Sequence, residues 1–73
     1  MKTYLEVILS SEGEKASVIT SKLVELGFEP GYGQNDFVYT WKKEVVLSKV
    51  LYFIDSVQDK LKGSKVYLKF QTI

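Results

Sequence analysis

The side chains that could do chemistry in this chain are few, and the most conspicuous are three aromatics in one short segment. Side chains alternate across a strand, so Phe37, Tyr39 and Trp41 share one face. On the open face of a sheet, such a set could stack nucleobases or contact a partner protein. Packed inward, the same set belongs to the core. The period alone does not decide between these interpretations.

Catalytic and metal-binding chemistry has little to draw on. The chain contains no Cys, no His and no Arg, so thiolate nucleophiles, imidazole bases and zinc ligands of the common kinds are absent. Asp55 and Asp59 stand four residues apart and could hold an oxygen-ligated cation. With Lys60 and Lys62 beside them, they are more typical of a solvated helix face. The sequence therefore predicts a protein that is not an enzyme, with no cofactor and no metal.

The charge is small overall but unevenly distributed. The formal net charge is +1, which excludes a strongly basic nucleic-acid binder. Residues 1–41 carry a local charge of −3 and residues 42–73 a local charge of +4. Such asymmetry indicates either an inert dipole or a field that steers partners. Frequent Lys and Glu with no Cys and a single Asn are typical of thermophile proteins.

Hydropathy predicts a cytoplasmic protein without a membrane segment. The longest apolar run, Val50 to Ile54, has five residues, far short of a membrane span. Glu6 interrupts the apolar N-terminal stretch, so that stretch does not read as a signal peptide.

Two helices must position these side chains. The first is predicted from the stripe Ala16, Ile19, Leu23 and Leu26 and ends at Gly27, and Ser11 and Glu14 form a capping box before it. The second is predicted over 43–62 and ends at Gly63. Its core stripe has the same three-and-four spacing: Leu47, Val50, Ile54, Val57 and Leu61.

Alternating apolar residues predict four strands, over 1–10, 28–32, 37–41 and 65–73. Pro30 cannot donate to a ladder, which confines the second strand to a sheet edge. The lysines of the last strand suit a guarded edge. Gly31, Tyr32 and Gly33 open no helix, so they indicate hairpin geometry and not a phosphate loop.

The resulting order, β-α-β-β-α-β, resembles the ferredoxin-like fold. That resemblance implies an α+β sandwich formed by one domain over residues 1–73. It has a four-stranded antiparallel sheet in the order 4-1-3-2, with both helices on one face. The aromatic strand then lies at the centre of the sheet, beside the first strand.

Function is predicted to be association, with a second copy of the chain or with another protein. The second helix carries more apolar residues than one buried face needs, and one face of the sheet is open. The interaction candidates come from those two surfaces: Tyr4, Tyr39, Trp41, Tyr67, Lys69, Val46, Tyr52 and Phe53.

Two alternatives stay open. If the aromatics face outward, the chain resembles an RNA recognition motif and would bind single-stranded nucleic acid. Its third strand departs from that motif, since only Gly33, Phe37 and Val38 are candidates for the consensus and their spacing differs. The topology also resembles ACT-like domains, which implies a sensor of small ligands. No residue-level motif supports that resemblance, and fold does not fix function.

Overall fold

A computed structural model describes residues 1–31, Gly33 and residues 35–73. The strands and helices follow one another as β1 (Lys2–Ile8), α1 (Ala16–Glu25), β2 (Glu29–Pro30), β3 (Phe37–Thr40), α2 (Leu47–Lys60) and β4 (Tyr67–Thr72). The strands form one antiparallel sheet in the order β2-β3-β1-β4, which is the predicted order 4-1-3-2 read from the opposite edge. The fold is therefore α+β, with a four-stranded antiparallel sheet and two helices.

Strand β1 lies at the centre because its alternating apolar residues give it one fully buried face. Thr3 and Leu5 are completely buried, and Val7 is half-buried beside them. Leu5 lies opposite Phe37 on β3 and opposite Phe70 on β4, so these side chains share its face of the sheet.

The core lies between this face of the sheet and the helices. Ile19 and Leu23 of α1 join Val57 of α2 in a single buried cluster with Leu5. Each large aliphatic side chain buried in this way contributes about 1.5–3 kcal/mol. The cluster as a whole consists of Leu5, Ile19, Leu23, Phe28, Val57 and Leu61.

The capping box predicted at Ser11 and Glu14 is wrong. Helix α1 starts at Ala16, and its N-cap residue Lys15 makes no side-chain cap hydrogen bond. The preceding segment docks instead on the turn before β4, where the backbone N–H of Glu14 donates to the Ser64 carbonyl at 3.0 Å. A Cβ on Gly13 would lie 2.6 Å from that carbonyl oxygen, so this close approach requires glycine.

Helix α2 starts later than predicted, and this changes its apolar stripe. Val46 has the extended backbone of an N-cap residue, so the first helical residue is Leu47. Val50 and Val57 are buried as expected, but Leu47 is 71% exposed and does not belong to the core. The strands are also shorter than predicted. β1 ends before Leu9, which is exposed, and Tyr32 lies outside the described residues.

No helix within residues 1–31 and 35–73 has the length and apolar character needed to cross a lipid bilayer.

Candidate interaction surfaces

Phe37 and Tyr39 of β3, and Trp41 directly after it, point toward the helices. Tyr39 lies opposite the buried Thr3, which fixes its side chain on the helix-facing side of the sheet. Its ring lies 4.3 Å from that of Phe53 on α2, and the Trp41 ring lies 5.3 Å from Phe53, measured between centroids. The interpretation in which Phe37, Tyr39 and Trp41 form an open-face platform is therefore wrong. Phe37 packs against the hydrophobic core. Tyr39 and Trp41 form an aromatic cluster with Phe28 and Phe53 between the sheet and α2.

A hydrogen-bonded chain fixes the polar end of this cluster. The Trp41 indole Nε1–H donates to Thr3 Oγ1 at 2.8 Å, and Thr3 Oγ1 lies 2.9 Å from Thr72 Oγ1. These hydrogen bonds join Trp41, Thr3 of β1 and Thr72 of β4 on the helix-facing side of the sheet. Within the described residues, no buried side-chain N or O atom lacks a partner.

The open face of the sheet is polar in the middle and apolar at one end. Glu6 lies opposite Lys69, and the exposed Tyr67 lies opposite the exposed Ile8. Five polar side chains surround a cleft of about 90 Å³ on this face: Tyr4, Glu6, Asn35, Lys69 and Gln71. This cleft could hold only a small polar molecule.

A second cleft, of about 300 Å³, lies where β1, α1 and the start of β3 meet. Its walls are apolar apart from Thr20 and Asp36. The Asp36 carboxylate accepts a hydrogen bond from the Val7 backbone N–H at 2.8 Å. Asp36 directly precedes β3, and its carboxylate satisfies a backbone N–H of β1 that β3 does not reach. This acidic side chain therefore has a structural explanation.

The outer edge of β4 presents unpaired backbone groups. Lys2 and Ile73 exchange both backbone hydrogen bonds at 2.9 Å, which sets the alternation along β1 and β4. Lys69 and Gln71 therefore direct their backbone groups toward β1, whereas Leu68, Phe70 and Thr72 direct theirs away from it. Within the part of the chain that the structure describes, no strand pairs on that outer side.

One flank of α2 borders this edge. Leu47, Leu51 and Ile54 follow at intervals of four and three, so they lie along one side of the helix. Gln58 continues that side and lines a cleft of about 450 Å³ together with Leu68 of β4. The flank therefore faces the β4 edge, and Leu47 and Leu51 are exposed on it.

We call the combined feature the edge surface. It consists of the outward backbone groups of β4 and five side chains: Leu47, Leu51, Ile54, Leu68 and Phe70. Three of these are half-buried and two are exposed, so the core is incompletely covered along β4.

The predicted interaction candidates are thus divided among several places. Tyr4, Tyr67 and Lys69 lie on the open face, and Tyr39, Trp41 and Phe53 lie in the aromatic cluster. Val46 and Tyr52 are exposed, Val46 at the N-cap of α2 and Tyr52 on its solvent side.

The residues of the edge surface were missing from that prediction. Leu47 and Ile54 read as core from their spacing, and Leu68 and Phe70 read as the inner face of a strand. The available signal was Leu51, which extends the Leu47 stripe beyond the width that one buried face needs.

Comparisons with family models, with curated proteins and with solved structures give no significant match.

Proposed function

We propose that this chain is a non-catalytic ferredoxin-like module that works by association through its edge surface. The observation that carries the proposal is the coincidence of two unsatisfied features along β4. Within residues 1–31, 33 and 35–73, the outward backbone groups of Leu68 and Phe70 have no ladder partner, and the apolar side chains of Leu47 and Leu51 are exposed beside them.

The physical support is that association would satisfy both features together. A strand added to β4 would pair the outward N–H and C=O groups. The part of the partner that packs beside the added strand would cover Leu47 and Leu51. Each Å² of apolar surface buried in this way contributes about 25 cal/mol to the free energy of association.

The proposal is tested by sedimentation velocity over a dilution series, comparing the natural chain with Leu51→Glu. We expect a concentration-dependent rise in mass for the natural chain and its loss in the variant, because a charge would be desolvated in the contact. Tyr52→Glu is the matched control, since it adds the same charge one residue away on the solvent side of α2. A constant monomer mass for the natural chain at millimolar concentration would contradict self-association.

The small polar cleft of the open face supports a second candidate, an ACT-like sensor of a small ligand. Glu6 and Lys69 lie side by side across β1 and β4, and both line the cleft. Together they offer a carboxylate and an ammonium, which would suit a small zwitterion such as an amino acid. Calorimetric titration with a panel of amino acids tests this, with Glu6→Gln as the variant expected to weaken binding.

The nucleic-acid alternative loses its main support, because Tyr39 and Trp41 lie in the aromatic cluster. The open face retains Tyr4 and Tyr67 as stacking residues. The anisotropy of a labelled single-stranded oligonucleotide, titrated at low salt, would reveal such binding if it occurs.

A further inference from the structure

We infer that the partner of the edge surface is a second copy of this chain, whose β4 pairs antiparallel with the first. In this arrangement Phe70 lies opposite Phe70 on the two-fold axis, and the two sheets join into one of eight strands. This inference rests on the proposed function and specifies both the partner and the register.

Only one edge of the sheet can make this contact. Strand β4 has six residues and no proline, and the outward groups of Leu68, Phe70 and Thr72 span its length. Strand β2 has two residues, of which Pro30 lacks a donor. Of the two edge strands, β4 is the one that matches another β4 in length. A contact between two copies of β4 is isologous.

The alternation of outward groups leaves few registers. Residues 68, 70 and 72 must lie opposite one another, because only their backbone groups are free to pair. A two-fold axis at Lys69 places two ammonium groups directly opposite each other, which is unfavourable. An axis at Gln71 pairs only Phe70, Gln71 and Thr72 within β4. An axis at Phe70 pairs the five residues from Leu68 to Thr72 and places Lys69 opposite Gln71.

The same axis brings the α2 flanks together. Gln58 lines a cleft with Leu68, so these two residues mark the same level along the edge. Two strand residues advance about 6.6 Å, the length of about four helical residues. Because α2 returns into β4 through one turn, its earlier residues lie beside later residues of β4. Ile54 and Leu51 therefore lie near Phe70, and the two apolar flanks would meet at the axis.

The extent of the contact predicts a reversible dimer. A strand of six residues and a helix of fourteen are each about 20 Å long. A face of that length and two layers in height is at the lower end of stable protein interfaces, where about 1,000 Å² in total is needed. We therefore expect a reversible dimer whose dissociation is visible over a dilution series.

The register is tested by disulfide cross-linking, which is clean because the chain has no natural Cys. With the axis at Phe70, Tyr67 lies opposite Ile73 as a pair that shares no backbone hydrogen bond. The Cα atoms of such pairs are about 4.5 Å apart, within the range for a disulfide. We expect an equimolar mixture of Tyr67→Cys and Ile73→Cys to form a mixed disulfide under mild oxidation, visible by mass spectrometry. Both variants keep Lys69, whose charge selects the register.

Two further mixtures are controls. Tyr67→Cys with Gln71→Cys cross-links only if the axis lies at Lys69, and that product would overturn the register. Tyr67→Cys with Thr40→Cys should give no specific product, since Thr40 lies on β3, away from the edge.

The possible failures are distinguishable. A sedimenting dimer without the mixed disulfide of Tyr67→Cys and Ile73→Cys overturns this inference and leaves the proposed association intact. A natural chain that stays monomeric contradicts both. Trp41 emission from each single-Cys variant shows whether that variant is folded. An unfolded variant is replaced by the pair Leu68→Cys and Thr72→Cys, which reports the same register and also keeps Lys69.

Discussion

The two edges of the sheet solve the problem of unpaired backbone in opposite ways. β2 is an edge of two residues, Glu29 and Pro30, and offers little backbone for another strand to pair with. β4 has six residues, and its outward groups at Leu68 and Phe70 are unobstructed. A short strand with a proline therefore limits pairing at β2, whereas β4 is long and has no proline.

The lysines expected to guard β4 are poorly placed to do so. Lys65 precedes the strand, and the side chain of Lys69 points to the open face, beside Glu6. Neither side chain lies between the strand edge and an approaching strand. Lys69 selects among registers more than it prevents pairing.

The largest expected effect is on stability, where a substitution on β4 should cost more unfolding free energy than one on β2. Phe70→Ala removes a half-buried ring that packs against the core, so the free energy of unfolding should fall by about 2–3 kcal/mol. Pro30→Ala on the exposed β2 edge should change it by no more than about 0.5 kcal/mol. Urea denaturation followed by Trp41 fluorescence measures both. Similar losses at the two sites would mean that the edges do not differ in this way.

The second prediction concerns the link between β4 and the centre of the sheet. Thr3→Val keeps the shape of the side chain but leaves the partly buried Trp41 indole N–H without its acceptor. We expect a loss of about 2 kcal/mol in the free energy of unfolding. Thr40→Val, on the exposed face of β3, is the control and should be nearly neutral. A neutral Thr3→Val would show that this hydrogen-bonded chain does not stabilise β4.

A smaller effect is expected in the turns that lead into β3 and β4. Lys65, just before β4, has φ of 56°, whereas Gly33, before β3, has φ of 74°. A left-handed conformation is costly for lysine and not for glycine. Lys65→Gly should therefore raise the free energy of unfolding by about 0.5–1 kcal/mol, measured by thermal denaturation. Lys62→Gly, a helix-end control, should not stabilise.

The smallest effect is on association. Residues 42–73, which include α2 and β4, carry a local charge of +4, so two copies that meet through this half repel each other. Raising NaCl from about 0.05 to 0.5 M should tighten dimerisation a few-fold, because salt screens that repulsion. Sedimentation equilibrium measures the change. Tighter association at low salt would indicate contact between opposite charges, as when β4 meets the acidic half of another copy.

The strand order could be predicted because separate local signals agreed. Pro30 assigned β2 to an edge, and the alternation of Leu5 and Val7 assigned β1 to the interior. The helix starts could not be predicted as well. Ser11 and Glu14 have the spacing of a capping box, but a tertiary contact with Ser64 takes this segment away from the helix.

The faces on which the aromatic and α2 side chains lie were harder to foresee than the strands. Phe37, Tyr39 and Trp41 could face either way until the register with Thr3 was known, because a shift of one residue reverses every side chain. Exposure of Leu47 depends on α2 starting at that residue, and a periodic pattern does not define its first turn.

The hydrogen bond between Thr3 and Thr72 joins residues 69 positions apart. Thr3 lies in β1, the central strand, which can pair with β3 and β4 only after those distant segments of the chain are available. Loops of that length must close before the central strand is paired, so we expect folding on the slow side for a protein of this size. During synthesis, the backbone edge of β1 that pairs with β4 remains open until β4 has left the ribosome, and chaperones that recognise extended segments would have time to bind it.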